Sequence, residues 1–228
     1  MLISIHQPNF APWLGFFYKW AQSDAFIILD DVPYSKNSFT NRNQIKFPDG
    51  KKWITIPIFY KGQSNQFINT VEINNNTNWK RKIIGSLESN YSKANYFPIF
   101  FPEICEIINH DWINLIDINM KIINWIIEKI KIEIPYSFSS QLNGIKGEST
   151  ERIVSICERF GANKYLSGSG GDKYHDISLF KKKNIIIKNI NFKYNYYPQQ
   201  WEGFIPNLSI IDVLMNCGPD KTKQLLKI

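Results

Sequence analysis

The first 32 residues constrain the fold more than any other stretch of the chain. Leu2 to Ile5 is a short apolar run suited to a buried strand, and it ends at His6-Gln7-Pro8, where proline cannot donate to a sheet ladder. Pro12 suits the first turn of a helix, where a missing N–H costs nothing. Trp13, Phe16, Phe17, Trp20 and Ala21 then recur at helical spacing up to Ser23. Ala25 to Leu29 is a second apolar run, closed by Asp30-Asp31. Strand, tight helix and strand in so short a span make a βαβ unit, which implies a parallel sheet.

That topology has a chemical consequence. In open parallel sheets, ligands bind in the crevice outside the carboxyl ends of the strands. His6 follows the end of the first strand, and Asp30 and Asp31 follow the end of the second. These three are the candidate catalytic residues. His6 could bind phosphate or act as an acid or base near neutral pH, and the carboxylates could hold Mg2+ with a nucleotide or deprotonate an amine or hydroxyl. The structural alternatives are a histidine bonded to a neighbouring carbonyl and a turn or helix cap, and one of the two carboxylates is expected to face the site.

From Val32 to Pro48 the chain is polar and turn-rich, with Asn37, Asn41, Arg42 and Asn43 close together; Arg42 suits a carboxylate or phosphate through its planar fork. Trp53 to Ile58 reads as a strand, with Phe67 to Ile73 available to pair with it. Helices are expected over 78–91, 102–110 and 112–131, so that about 78–131 forms a helical insertion covering the sheet. Ile134 to Ser139 could return to the sheet, and a helix capped by Ser149 runs to Phe160, with Gly161 just past its end.

Tyr165-Leu166 then opens into Ser167-Gly168-Ser169-Gly170-Gly171. A glycine-rich loop after a strand can present backbone N–H groups to phosphate, and this one should lie at the same sheet edge as His6. Ser167, Gly168, Ser169, Gly170, Lys173 and His175 are the candidate phosphate-binding residues, against the plainer reading of a tight turn. A strand at 185–190 and a helix from Ser209 ending near Gly218 complete the chain. The whole, 1–228, reads as a single α/β domain: three layers, a mainly parallel Rossmann-like sheet, and the helical insertion.

Charge and composition bound the partners. The net charge of +7, from 27 basic and 20 acidic residues, permits an anionic small molecule such as a nucleotide or nucleotide-sugar. A solvated lysine surface is the simpler explanation of the charge, and without a zinc-finger or RNP-type signature nucleic acid is not the expected partner. No apolar run approaches the roughly 20 residues needed to span a bilayer, and the opening MLISIH lacks a signal-peptide pattern. Three cysteines, far apart, fit reduced thiols and a cytoplasmic location. No metal-ligand motif is present, and Cys157, at helical spacing beside Ile153 and Ile156, reads as core.

HQPNFAPWLGFFYKWAQSDAFIILDDV, the NRN at 41–43, YLSG at 165–168 and the closing YPQ…FIPNLSIIDVLMNCG together resemble the WbqC-like family over essentially the whole chain. That resemblance implies a role in bacterial O-antigen, capsule or related polysaccharide biosynthesis. It adds Gln7, Asn9, Asn41, Arg42, Asn43, Tyr197 and Gln199 as substrate-binding candidates. Ala11 departs from the bulkier residue expected before Pro-Trp. A second likeness is to HUP-type nucleotidyltransferases, in which a histidine motif follows the first strand and a serine-rich loop lies late in the chain. Here the second histidine of HxGH is missing, because Trp13-Leu14-Gly15 stands where it would fall. ATP enters as a cofactor through this fold-level analogy, alongside the Mg2+ that Asp30 and Asp31 could hold. Two readings follow: a transferase or ATP-dependent ligase that modifies a nucleotide-linked amino sugar by aminoacyl or acyl transfer, or a non-catalytic protein that binds sugar or a partner enzyme. A homodimer is compatible with either.

Overall fold

The computed structural model describes residues 1–59, 66–168, 175–193 and 195–227. In chain order the elements are β1 (Leu2–His6), α1 (Leu14–Ala21), β2 (Ala25–Ile28), β3 (Arg42–Phe47), β4 (Gly50–Thr55), α2 (Trp79–Tyr91), α3 (Phe97–Asn109), α4 (Leu115–Ile130), β5 (Tyr136–Phe138), α5 (Ser149–Arg159), β6 (Lys164–Ser167), α6 (Ile177–Lys182), β7 (Ile186–Asn189) and α7 (Ile210–Leu226). The chain divides into two compact units, one of Met1–Gln7, Tyr18–Asp31 and Glu133–Lys193, the other of Pro8–Phe17, Val32–Ile132 and Tyr194–Ile228.

The first unit is an α/β fold built on a five-stranded sheet in the order β5-β2-β1-β6-β7, with every pairing parallel. Its central strands are buried on both faces, as in a sheet covered on both sides. Ile3, Ile5, Ala25, Ile27 and Tyr165 form one face, packed with Val154, Ile156 and Cys157 of α5 and Phe180 of α6. On the opposite face, Trp20 of α1 stacks flat on Phe26, with centroids 4.2 Å apart and planes 3° apart. Its indole N–H donates to the Ile134 carbonyl, tying the helix to the approach to β5. Asp24 closes the crossover: its N–H donates to the Leu2 carbonyl and its carboxylate accepts from the Leu2 N–H at 2.6 Å.

The second unit carries the β3–β4 hairpin and helices α2, α3, α4 and α7. Here the structure departs from the sequence reading. The stretch read as turn-rich contains β3, and the strand expected at 53–58 is β4, antiparallel to β3 from Arg42↔Thr55 to Phe47↔Gly50. The 67–73 segment forms no strand: it makes a 3-10 turn at Ile68–Thr70 and pairs through isolated bridges, one of them Ile58↔Ile73. Helix α4 is the apolar centre of the unit, burying ten of its sixteen residues. The helix from Ser209 breaks at Gly218, where it was expected to end: Gly218 takes φ 75°, ψ −179°, and Pro219 opens a second helical stretch across a kink, the two together making up α7. Ser149 has φ 49° and makes no cap bond, so Glu148 stands at the N-cap of α5. No helix among the described residues is long and apolar enough to cross a membrane.

Candidate functional site

Strand order in the first unit reverses between β1 and β6, so a crevice outside their carboxyl ends is the place where a ligand binds in a sheet of this kind. β1 ends at His6 and β6 at Ser167, followed by Gly168. The β1–β6 ladder runs in register from Leu2↔Lys164 to Ser4↔Leu166, which brings His6 and the Ser167-Gly168 pair to the same sheet edge. Gly168 has open space where a Cβ would stand, and Ser167 is buried. Ser169, Gly170 and Lys173, the rest of the expected phosphate loop, lie outside the described residues.

His6 Nδ1 is 2.9 Å from the Gln7 carbonyl. A carbonyl only accepts, so Nδ1 carries the proton of the neutral ring and the lone pair is assigned to Nε2. Burial, then the positive charge of Lys19, lowers the imidazole pKa to about 4, and the bond to Gln7 opposes them. The ring is therefore neutral at physiological pH.

Lys19 was not a candidate in the sequence, and the structure puts it beside His6. It is 3% exposed and its Nζ donates to the Ile5 carbonyl at 2.8 Å. Burial pulls its pKa down to about 7, so it exchanges its charge near neutrality. Its backbone carbonyl accepts from the hydroxyls of Ser4 and Ser23, which pins this turn of α1 to β1. The signal was present: Phe16, Lys19, Trp20 and Ser23 share one helical face, and that face is buried.

Asp30 and Asp31 meet around Ser139 and Ser140, which follow β5. Ser140 donates its N–H to Asp30 Oδ1 at 3.0 Å and its hydroxyl to Oδ2 at 2.6 Å. The Ser139 hydroxyl lies between the two carboxylates, 3.1 Å from Asp30 Oδ1 and close against Asp31 Oδ1, and its one proton serves one of them at a time. Arg152 of α5 pairs with Asp31 Oδ2. Each of the four carboxylate oxygens thus faces a donor, an arrangement that does not suit a divalent cation, and no group of three or more metal-ligating side chains occurs among the described residues. His175 rests in an aromatic nest, edge-on to Tyr165 at 5.6 Å and to Phe180 at 5.7 Å. The Cys157 thiol is pushed up to about 12 by burial, which makes it inert core.

Of the remaining candidates, Gln7 closes the β1 segment of the first unit, and the others belong to the second. Asn9 is buried. Asn43 donates to the carbonyls of Phe10 and Ala11, and Ser209 also donates to Ala11, a buried residue held at φ 41°. The small side chain at Ala11 matches that left-handed, enclosed position. Asn41 accepts from the Tyr34 hydroxyl at 2.8 Å and donates to the Ile56 carbonyl. Tyr197 and Gln199 come together at a residue the sequence did not flag, Asp212 of α7. Asp212 is fully buried and accepts from the Tyr91 hydroxyl at 2.7 Å, and the Tyr91 oxygen accepts from the Lys46 N–H. Burial raises the Asp212 pKa to about 6, while Tyr91, Tyr197 and the Lys46 charge oppose the rise. Gln199 also bonds both ways with Ile205, so it fixes the loop before α7.

The first unit is therefore an open parallel α/β sheet of the doubly wound type, with a neutral histidine and a low-pKa lysine at its switch point. The chain belongs to the WbqC-like protein family, whose sequence pattern matches residues 7–224. A Mycobacterium tuberculosis protein described as uncharacterized protein Rv1507c is 34% identical over 225 residues, covering 98% of this chain and 96% of that relative. No solved structure matches the chain.

Proposed function

We propose that this protein acts in the biosynthesis of a bacterial surface glycan, as an enzyme that transfers an aminoacyl or other acyl group to the amine of a nucleotide-linked amino sugar. The observation that carries this reading is the switch point itself, where His6 and Ser167-Gly168 end the two strands at which the sheet order reverses. Backbone N–H groups after β6 would receive the nucleotide phosphates, and the basic net charge favours such a ligand. The neutral His6 ring, with its lone pair on Nε2, would accept the proton lost by the amine as its nitrogen bonds to the acyl carbon. The donor's leaving group departs with its electron pair. Lys19 supports that role by adding to the burial that keeps His6 unprotonated. Asp30 and Asp31 act as positioning residues, tying the end of β2 to Ser139, Ser140 and Arg152.

The test is incubation with nucleotide-linked amino sugars, ATP and glycine or other amino acids, read by mass spectrometry. A mass gain on the sugar that His6→Ala reduces by about 100-fold or more supports the reading. No product across the panel, together with sugar binding by calorimetry, would favour a non-catalytic sugar-binding protein of the same pathway.

A further inference from the structure

We propose that a cavity beside the β3–β4 hairpin binds the carboxylate of a small acidic sugar or comparable organic acid, with the Arg42 guanidinium as its receptor. The hairpin register sets Arg42 opposite Thr55, and Trp53 lies two residues back on the same exposed face of β4. Arg42 is thus diagonal to Trp53, and its guanidinium lies over the indole with 4.1 Å to the ring centroid. One Nη donates to the Asn37 carbonyl at 2.6 Å. Ring and carbonyl together fix the plane of the guanidinium before any ligand arrives.

The Nε–H is left unpaired. Arg42 Nε is buried and has no hydrogen-bond partner. Buried donors are almost always paired, and arginine cannot shed its charge to relieve the deficit. No ion pair to Arg42 occurs among the described residues. The adjoining cavity, about 180 Å³, has no acidic side chain in its lining and carries a second cation, Lys36, on its wall. Tyr34 and Thr55 add hydroxyl-bearing side chains to that wall.

Size and shape select the ligand. The volume is below that of pockets which enclose whole cofactors, so it suits one small acid or the acidic end of a larger molecule. A guanidinium held flat, with its Nε–H unpaired, matches a planar carboxylate through two parallel N–H···O bonds. A phosphate takes the same fork, so the titration compares the two anions directly. The site lies wholly within the second unit and does not depend on the acyl-transfer reading of the first.

The experiment titrates the full chain with glucuronate, with glucose as the uncharged control and with inorganic phosphate, reading the Arg42 Nε–H resonance by NMR and the affinity by calorimetry. Glucuronate is expected to shift that resonance and to bind about tenfold or more tightly than glucose or phosphate. Arg42→Gln and Arg42→Lys should each weaken glucuronate by about tenfold or more, the lysine because an ammonium offers no planar fork. An unmoved Nε–H resonance at saturating glucuronate, or unchanged affinity in a folded Arg42→Lys protein, would overturn the site. Phosphate binding as tightly as glucuronate would overturn its assignment to carboxylates.

Discussion

The ammonium of Lys19 lies 2.8 Å from the carbonyl oxygen of Ile5, one residue before His6, and no carboxylate is ion-paired with it among the described residues. A buried lysine neutralised by no acid weakens the fold wherever it is charged. It also raises the cost of a second charge next door, which adds to the burial that keeps the His6 imidazole neutral.

Two titrations check this pair. His6 should titrate at about 4 in the native protein by NMR, and Lys19→Met should move it upward, short of an ordinary histidine because burial remains the larger cause. Lys19 titrates at about 7 in the fold and far higher in the unfolded chain, so between those values the unfolded state binds the extra proton and stability rises with pH. Lys19→Met should therefore stabilise by about 1–4 kcal/mol at or below neutrality, with the gain fading toward alkaline pH. A Lys19→Met protein that is less stable at pH 6 would contradict this account.

The Asp30–Ser140 contact makes a simpler claim. Ser140→Ala removes a hydroxyl donor from a buried carboxylate and leaves the backbone bond in place. Chemical denaturation should record a loss of about 1.5–3 kcal/mol. A change inside about 0.5 kcal/mol would mean that the carboxylate is solvated there.

Asp212 carries the opposite sign from an ordinary paired carboxylate. Its folded pKa, about 6, is above the unfolded value, so between the two the native state binds more protons and stability falls as pH rises through that window. Asp212→Asn should flatten the slope, a difference of about 1–3 kcal/mol between the ends of the window. Urea midpoints measured across pH 4–7 test it, and an undiminished slope in the variant would assign the effect elsewhere.

Much of the first unit was legible in the sequence because its signals are local and mutually consistent. The apolar runs of β1 and β2, the proline after His6 and the helical spacing of Phe16, Phe17 and Trp20 each state one element, and the parallel sheet follows from their order. β3 was not legible because Arg42, Asn43 and Gln44 read as loop. Its strand character comes from the pairing with β4, and Asn43 is buried only because two carbonyls await its amide. Lys19 escaped notice because lysine is normally a surface residue, although its helical face was already marked by Trp20. Asp212 was hidden for a related reason: its partners Tyr91 and Lys46 are distant in sequence.

Gly218 illustrates a signal with two meanings. Glycine with φ 75° ends one helical stretch, and the proline after it starts another across a kink, so Gly-Pro is both a stop and a start. A Cβ at that position would stand 2.4 Å from the Tyr96 ring. Gly218→Ala should cost about 2–4 kcal/mol from left-handed strain and overpacking together, measured as a lowered thermal midpoint. A near-neutral result would show that the ring and the helix junction relax freely.

The most direct measurement of the central claim is an amide chemical-shift map of the labelled protein with uridine- and thymidine-diphosphate-linked amino sugars at millimolar concentration. The account predicts that shifts centre on His6, Gln7, Ser167 and Gly168 at the carboxyl edge of β1 and β6, and that His6→Ala keeps the binding while losing turnover. No shifts at these residues with any sugar, or shifts confined to the β3–β4 hairpin, would contradict it.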